Sequence, residues 1–416
     1  MKKGLIGVVF LIIFLTSCGD APEKPLFPSV HISSPGIRTL EKEDGYVPVE
    51  IEFLDENGNS EFLDPDAKVK IRGNSTADGP KKPYGVKLSE KEVLLGDRKA
   101  KKWNLLADSY DPTMMRNVLA LSMAKELGLT GTPDYERTDL YLNDRYQGLY
   151  LLTESMSTAA DRLELNPENG DFLLEMETRK DENEKLLRTD EEDHYFETGL
   201  GIRFRVRSPE VDEEGAEDLF PEIECTMEEL ETLLQNGSYE EIGERIDLTS
   251  FTSHYLLNEY LWPVDYRDLS VFFYYKNGKL YAGPVWDYDL SAGNISEEFY
   301  GSGADSSVGV KAADCHYDRL LWQYPAFRKE AMEEFEAQKE LFQDTFSEGG
   351  FLDREYTAYR DAIERNYRKW DVSEAYSPYE RIPDDTYEEN LLYLRDWLSH
   401  RYEWMEEYLQ QQTGGE

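Results

Sequence analysis

The hydrophobic pattern changes its period along the chain, and this change constrains the fold more than any other feature. Apolar and polar residues alternate with a period of two over 47–53, 68–72 and 84–88, as in strands with one buried face. Near the C-terminus, apolar residues recur at helical spacing, which predicts a helix with one buried face. That stripe consists of Leu391, Leu394, Leu398, Tyr402, Met405 and Leu409.

Turn residues and caps predict the elements between these ends. One hairpin is predicted over 138–152, and a second over 271–282, where Asn277 and Gly278 favour a type I′ turn. A helix is predicted over 112–127, because apolar residues there recur every four positions and a glycine follows. The order of strands, helix, strands and helices indicates an α+β protein with a sheet-rich N-terminal lobe and a helical C-terminal lobe.

The N-terminus predicts export. Two lysines precede an apolar run over 5–15, which is too short to span a bilayer comfortably. The run ends in Leu15-Thr16-Ser17-Cys18, which resembles the lipobox of bacterial lipoproteins. The resemblance implies a lipoprotein signal peptide over 1–17, a membrane tether over 18–29 and an extracytoplasmic protein anchored through lipidated Cys18. An ordinary signal peptide that contains a cysteine is the alternative.

Charge and cysteine content exclude several classes of function. The net charge is −41, from 86 acidic and 45 basic residues, so nucleic acid is not expected as a partner. A phosphate ligand would need a local basic cluster or a metal ion. Cys225 and Cys315 could pair in an exported protein, but two isolated thiols are favoured. The five histidines show no helical ligand spacing, so no zinc site is predicted.

A basic segment follows one of the predicted strands. Arg72 leads into a turn that contains Asn74 and Ser75, and Lys82 and Lys87 come shortly afterwards. Free backbone N–H groups, hydroxyls and cations together could hold phosphate oxygens. The alternative is a plain turn flanked by ordinary strand lysines.

Carboxylates lie at both ends of the second predicted hairpin. Asp265 precedes it, whereas Asp287 and Asp289 follow it. In a hairpin, the start of the first strand lies beside the end of the second strand. Asp265 and Asp287 are therefore predicted to lie close together. Such a pair can hold Mg²⁺ and orient a hydroxyl nucleophile. A turn, or a structural Ca²⁺ site at Asp287 and Asp289, is the alternative.

Four motif-like segments follow one another along the chain: RGNST…KKPYGVKL, KKWNLLADSYDPTMMRN, LYLNDRYQGLYLLTE and GPVWDYDLSAG. In this order they resemble the successive motifs of the CotH (spore coat protein H) kinase family. The similarity extends over about 30–330, which predicts a CotH kinase-like domain there and a helical extension over 331–416 packed on it. The resemblance implies a divergent, two-lobed protein-kinase-like fold that transfers phosphate from ATP to serine of spore coat proteins.

The resemblance also implies roles for residues of the N-terminal half. Lys87 resembles the lysine that binds nucleotide phosphates, with Lys82 as the second candidate, and Arg72, Asn74 and Ser75 would belong to the same nucleotide site. Glu154 stands where the nucleotide hinge of the family is expected. The family's helix-start motif is matched by Asp111, Arg116 and Asn117.

In the C-terminal half, Asp265 resembles the catalytic-loop aspartate that accepts the proton of the substrate hydroxyl. Asp287 resembles the metal-binding aspartate, and Asp289 would be a second ligand. Protein kinases place a metal-binding asparagine five residues after the catalytic aspartate, whereas this chain has Ser270 there. A hydroxyl is a weaker ligand than an amide oxygen, which puts binding of two metal ions in doubt.

These features together predict an extracytoplasmic kinase that uses ATP and Mg²⁺ or Mn²⁺ to phosphorylate Ser or Thr of a protein on the cell or spore surface. Two alternatives remain. Ser270 and the scarcity of ATP outside cells favour a pseudokinase-like binding or scaffold lipoprotein. Paired carboxylates would also suit a hydrolase of surface polymers, although no hydrolase motif is present.

Overall fold

The N-terminal half folds into a closed β-barrel. A computed structural model describes residues 27–34, 40–73, 75–178, 193–211, 213, 215–371 and 377–413. The barrel strands follow one another in the spatial order β1-β2-β3-β4-β5-β7-β6, and β6 returns to pair with β1 in parallel. The strands are β1 (Ser29–Ser33), β2 (Val47–Leu54), β3 (Ser60–Ile71), β4 (Tyr84–Glu92), β5 (Ala100–Leu106), β6 (Tyr135–Leu142) and β7 (Arg145–Glu154).

Period-two alternation gives the barrel its core. On β2, Val49, Ile51 and Phe53 point inward, and on β4 Val86 and Leu88 do the same. The predicted sheet-rich N-terminal region is therefore confirmed, but its sheet closes into a barrel. Closure depends on the pairing of Ser29–Ser33 with a strand more than a hundred residues later, and periodicity carries no signal for such distant partners.

A second, antiparallel sheet follows the barrel. Its strands are β8 (Phe172–Glu177), β9 (Tyr195–Glu197), β10 (Arg203–Ser208), β11 (Leu269–Lys276) and β12 (Lys279–Ala282), in the order β12-β11-β8-β10-β9. The predicted hairpin over 271–282 is confirmed as β11 and β12. Asn277 and Gly278 both have positive φ, 52° and 84°, as a type I′ turn requires.

Helices make up most of the remainder of the described chain. They are α1 (Arg116–Glu126), α2 (Ala159–Leu163), α3 (Ala216–Asn236), α4 (Tyr239–Arg245), α5 (Leu248–Leu261), α6 (Glu297–Tyr300), α7 (His316–Leu321), α8 (Pro325–Ala337), α9 (Lys339–Asp344), α10 (Phe351–Lys369) and α11 (Tyr387–Thr413). The helical C-terminal region is therefore confirmed, and the fold is α+β.

Helix α1 begins four residues later than predicted. Met114, at φ 53°, interrupts the helical backbone, and the carboxylate of Asp111 accepts hydrogen bonds from the backbone N–H groups of Thr113, Met115 and Arg116. Asp111 therefore caps the turn that leads into the helix, and the first helical residue is Arg116.

The C-terminal helices share their core with the rest of the helical region. Helix α8 crosses position 330, the end of the kinase-like domain expected from the sequence. The predicted apolar stripe of α11 is buried, with Leu394, Leu398, Met405 and Leu409 fully inaccessible. Arg401, also 0% exposed, forms an ion pair with the equally buried Glu259 of α5.

Two further expectations concern membranes and cysteines. No helix in the described ranges is long and apolar enough to cross a bilayer. The proposed signal peptide and Cys18 lie outside the described residues. Cys225 is exposed and Cys315 is buried, and they are not joined in a disulfide, so two isolated thiols are confirmed.

Candidate functional site

Residues from both ends of the β11–β12 hairpin line one pocket. Asp265, Ser270 and Asp287 contribute to its wall, together with His254 and Trp286. The Ser270 hydroxyl lies 3.4 Å from Oδ2 of Asp287. We name this the acidic pocket. The predicted proximity of the two ends of the hairpin is therefore found in the structure.

Local backbone geometry holds these side chains in place. Asp265 lies in a 3-10 turn, Val264–Arg267, in which the Asp268 N–H donates to the Asp265 carbonyl over 2.9 Å. Ser270 and Asp287 have φ values of 59° and 72°. Holding a residue other than glycine at positive φ costs roughly 1–3 kcal/mol, and such residues concentrate at functional sites.

Asp289 is a buried carboxyl group two residues after Asp287. It is 9% exposed, and its pKa is raised well above the usual value. Burial is the largest cause, and the carboxylates of Asp287, Asp108, Asp265 and Asp111 add to the shift in that order. A divalent cation would reverse this effect, because it favours the ionised form of every carboxylate around it.

The chemistry of the donor groups suits a hard cation. Asp287, Asp289 and Ser270 offer oxygen atoms only, which are the ligands that Mg²⁺ and Mn²⁺ prefer. In the ranges that the structure describes, no three His, Cys, Asp or Glu side chains are grouped closely enough to hold a metal ion by themselves. Mg²⁺ commonly uses one or two carboxylates and completes its coordination with water and phosphate oxygens, so these residues fit such an ion.

Helix α1 fixes the segment that carries the acidic residues. The side-chain oxygen of Asn117 accepts the N–H of Tyr288, between Asp287 and Asp289, over 2.8 Å. Its side-chain nitrogen donates to Asp108 over 2.8 Å. The Asn117 amide therefore connects Asp108, which follows β5, to the segment 287–289, which we call the acidic segment.

Arg116 adds a second connection one residue earlier. Its guanidinium donates to the carbonyls of Ser291 and Ala292 over 2.9 and 3.2 Å, and it also pairs with Asp111. Arg116 and Asp111 are 2% exposed, so this ion pair is shielded from solvent. The helix-start motif recognised in the sequence therefore attaches the acidic segment to α1.

Basic residues share one outer surface of the barrel. In the strand registers Lys87 lies opposite Lys68 and Lys102, while its neighbours Val86 and Leu88 point into the barrel. By the same alternation, Lys70 of β3 faces outward, and so does Arg72, the residue that follows β3. We name this surface the basic face, consisting of Lys68, Lys70, Arg72, Lys87 and Lys102.

The basic face meets the second sheet and the acidic pocket. Nζ of Lys102 lies 3.7 Å from Glu210, which follows β10. The Arg72 guanidinium lies 5.5 Å from the ring centroid of Trp286, next to Asp287. Arg72, more clearly than Lys87, is thus placed against the wall of the acidic pocket.

Other residues expected at the nucleotide site lie in different surroundings. Lys82 donates to the carbonyl of Ala77 within its own loop, and Ser75 is half-buried. Asn74 lies outside the described residues. Glu154 is the last residue of β7, and its buried carboxylate lies 3.8 Å from Arg162 of α2 and accepts the N–H of Asp134, just before β6. This side chain therefore links β7 to α2 and to the start of β6.

One buried lysine was missed by the sequence reasoning. Lys81 is 4% exposed and donates to the carbonyls of Ala107 and Leu149. Burial lowers the pKa of Lys81 and raises that of the nearby Asp108. Both line a cavity between the barrel and α10. Nothing in the sequence separates Lys81 from Lys82, because the choice depends on which neighbour turns inward.

Comparison with known proteins identifies the family. The family described as CotH kinase protein matches residues 69–405. The chain therefore belongs to the CotH kinase protein family. It is also similar to the inner spore coat protein H of Bacillus subtilis (strain 168), with 34% identity over 98 residues. That segment covers 24% of this chain and 25% of the relative.

Proposed function

We propose that the chain transfers the terminal phosphate of ATP to a serine or threonine hydroxyl of a protein on the cell or spore surface. The observation that carries this proposal is the convergence of Asp265, Ser270 and Asp287 on one pocket, beside Arg72 of the basic face. Membership of the CotH kinase protein family agrees with it. The arrangement supports a divergent kinase-like site between the barrel and the second sheet.

In this proposal Asp265 accepts the hydroxyl proton while the hydroxyl oxygen forms a bond to the terminal phosphorus. The bond between that phosphorus and the bridging oxygen breaks, and ADP leaves. Asp287, Asp289 and Ser270 would hold Mg²⁺ or Mn²⁺, which when bound neutralises charge on the phosphates. Arg72 and Lys87 would supply positive charge on the nucleotide side in a chain whose net charge is −41.

The proposed location is outside the cytoplasmic membrane. The apolar run over 5–15 and the lipobox-like sequence that ends at Cys18 support export and lipid anchoring. A surface-anchored kinase would act on proteins of the surface or coat. Its strongly acidic composition makes nucleic acid an unsuitable partner.

Binding without turnover is the second candidate function. Ser270 stands where kinases have a metal-binding asparagine, and in the described chain the carboxylates alone do not form a complete metal site. Both observations favour a pseudokinase-like scaffold. Nucleotide could then bind to the folded protein without any transfer of phosphate.

One experiment separates the two candidates. The purified ectodomain is incubated with ATP and Mg²⁺ or Mn²⁺, and phosphoserine and phosphothreonine are measured by mass spectrometry alongside the melting temperature. We expect phosphate on the protein or on an added coat protein, and a higher melting temperature, because nucleotide binds only the folded state. A raised melting temperature without phosphate would support the scaffold, and the absence of both would contradict nucleotide binding.

A further inference from the structure

A buried hydrogen-bond network lies directly behind the candidate catalytic residue. Tyr266, the neighbour of Asp265, is 4% exposed. Its hydroxyl lies 2.5 Å from Oδ2 of Asp318 and 3.4 Å from Nδ1 of His254. Nε2 of His316 lies 2.6 Å from the Tyr266 carbonyl. Tyr266 is therefore held at its side chain and at its backbone by residues of α5 and α7.

Asp318 is buried without an ion-pair partner among the described residues. Asp318 is 2% exposed, and no Lys or Arg side chain in the described ranges forms an ion pair with it. The titratable groups that interact with it are Tyr266, Glu259, Tyr255 and Cys315. His254 and His316 contact Tyr266. Glu259 is itself paired with Arg401 of α11.

These surroundings set the protonation states. Burial is the largest cause that raises the pKa of Asp318; the hydrogen bond from Tyr266 lowers it, Glu259 raises it further, and the pKa reaches about 8. Burial likewise lowers the pKa of His254 to about 3 and that of His316 to about 4. Near neutral pH, both imidazoles are uncharged and Asp318 carries a proton.

We propose that Asp318 is a positioning residue, whose protonated carboxyl group fixes Tyr266 and thereby the turn that carries Asp265. The Tyr266 hydroxyl donates to Oδ2 of Asp318, and Nδ1 of His254 lies 3.4 Å from the same hydroxyl oxygen. The neutral His316 donates from Nε2 to the Tyr266 carbonyl. This network gives the buried polar groups around Tyr266 mutual partners without placing a charge among them.

The consequence for the site is geometric. The 3-10 turn Val264–Arg267 is short, so a shift of Tyr266 displaces Asp265 by a similar distance. A displacement of about 1 Å can cost about 10²-fold in rate. Because Asp265 is assigned as the catalytic base only under the proposed function, this part of the inference rests on that function.

The protonation of Asp318 can be tested without any activity. The unfolded carboxyl has its ordinary pKa of 3.8, so between about pH 4 and pH 8 only the folded state holds this proton. The contribution of the Asp318 proton to the free energy of unfolding is therefore fully present below about pH 4 and is lost as the pH rises to about 8. Asp318→Asn removes this dependence, because the amide cannot ionise.

Melting temperatures of the unmodified chain and Asp318→Asn are compared at pH 5 and pH 8. On going from pH 5 to pH 8, the melting temperature of the unmodified chain should fall by about 3 °C relative to that of Asp318→Asn. Asp64→Asn is the control, since Asp64 is also buried but accepts the N–H of Ser89 in the barrel. A fall of the same size relative to the control would show that the pH dependence does not come from Asp318. An Asp318→Asn difference that does not change with pH would overturn the proposal.

Kinetics test the positioning role. Asp318→Ala should lower kcat at least about tenfold and leave KM for ATP nearly unchanged, whereas Asp318→Asn should retain most of the rate and keep it above pH 8. Equal losses in both variants would overturn the positioning role. If the unmodified protein transfers no phosphate, the proposed function fails, and the melting temperatures still decide whether Asp318 holds a proton.

Discussion

Asp265→Asn is expected to lower the rate of phosphate transfer by about 10²–10⁴-fold, the usual contribution of a general base. The amide keeps the size of the side chain but cannot accept the hydroxyl proton. KM for ATP should change little, because the proposed function places Asp265 beside the acceptor hydroxyl and not beside the nucleotide. The measurement is the initial rate of phosphate incorporation under saturating ATP and Mg²⁺.

Asp314→Asn is the matched control for this prediction. Asp314 is exposed in a short turn before α7, outside the residues that line the acidic pocket. Its variant should transfer phosphate at the unmodified rate. A folded Asp265→Asn protein with an undiminished rate would remove Asp265 from the chemistry.

Arg401→Met is expected to lower the free energy of unfolding by about 3–5 kcal/mol, because it leaves the charge of Glu259 buried without its partner. Both side chains are 0% exposed. Arg401 also donates to the carbonyl of Gly309, and Glu259 accepts the N–H groups of Lys311 and Ala313. This ion pair therefore joins α11 and α5 to each other and to the segment 309–313.

Urea unfolding measures this loss, with Arg354→Met as the control. Arg354 forms a bidentate pair with Asp344, but its side chain is 58% exposed. Exposed pairs contribute about 0–1 kcal/mol, so the control should lose no more than that. Equal losses in the two variants would contradict the structural role given to α11.

The sequence predicted those parts of the site that depend on local chain geometry. The hairpin over 271–282 follows from strand propensity and from Asn277-Gly278, and a hairpin brings its two ends together wherever it lies in the fold. The proximity of Asp265 and Asp287 could therefore be predicted. The helix-start motif could also be located, although its hydrogen bonds to Tyr288 and Ser291 could not.

Features that depend on distant parts of the chain could not be predicted. Closure of the barrel requires Ser29–Ser33 to pair with β6, and no periodicity encodes that partner. The choice among Lys81, Lys82 and Lys87 depends on which side chains turn inward. The sequence also gives no signal for the contact among Tyr266, Asp318 and His254. Asp318 is distant from the other two along the chain, and the three are buried together only after folding.

The domain boundary is a related case. The sequence resemblance was recognised over about 30–330, where the motifs are dense, whereas the family match extends over 69–405. The helices after position 330 carry an apolar stripe without recognisable motifs. Such a stripe indicates burial but does not identify the surface that it covers.

The most direct test of the central claim is a crystal structure of the purified protein with Mg²⁺ and a non-hydrolysable ATP analogue. We predict that Asp287 and Asp289 will contact the metal ion, that Arg72 will lie against the phosphates, and that Asp265 will face the terminal phosphate from the opposite side. Nucleotide bound away from the acidic pocket, with no metal ion at Asp287, would contradict the account.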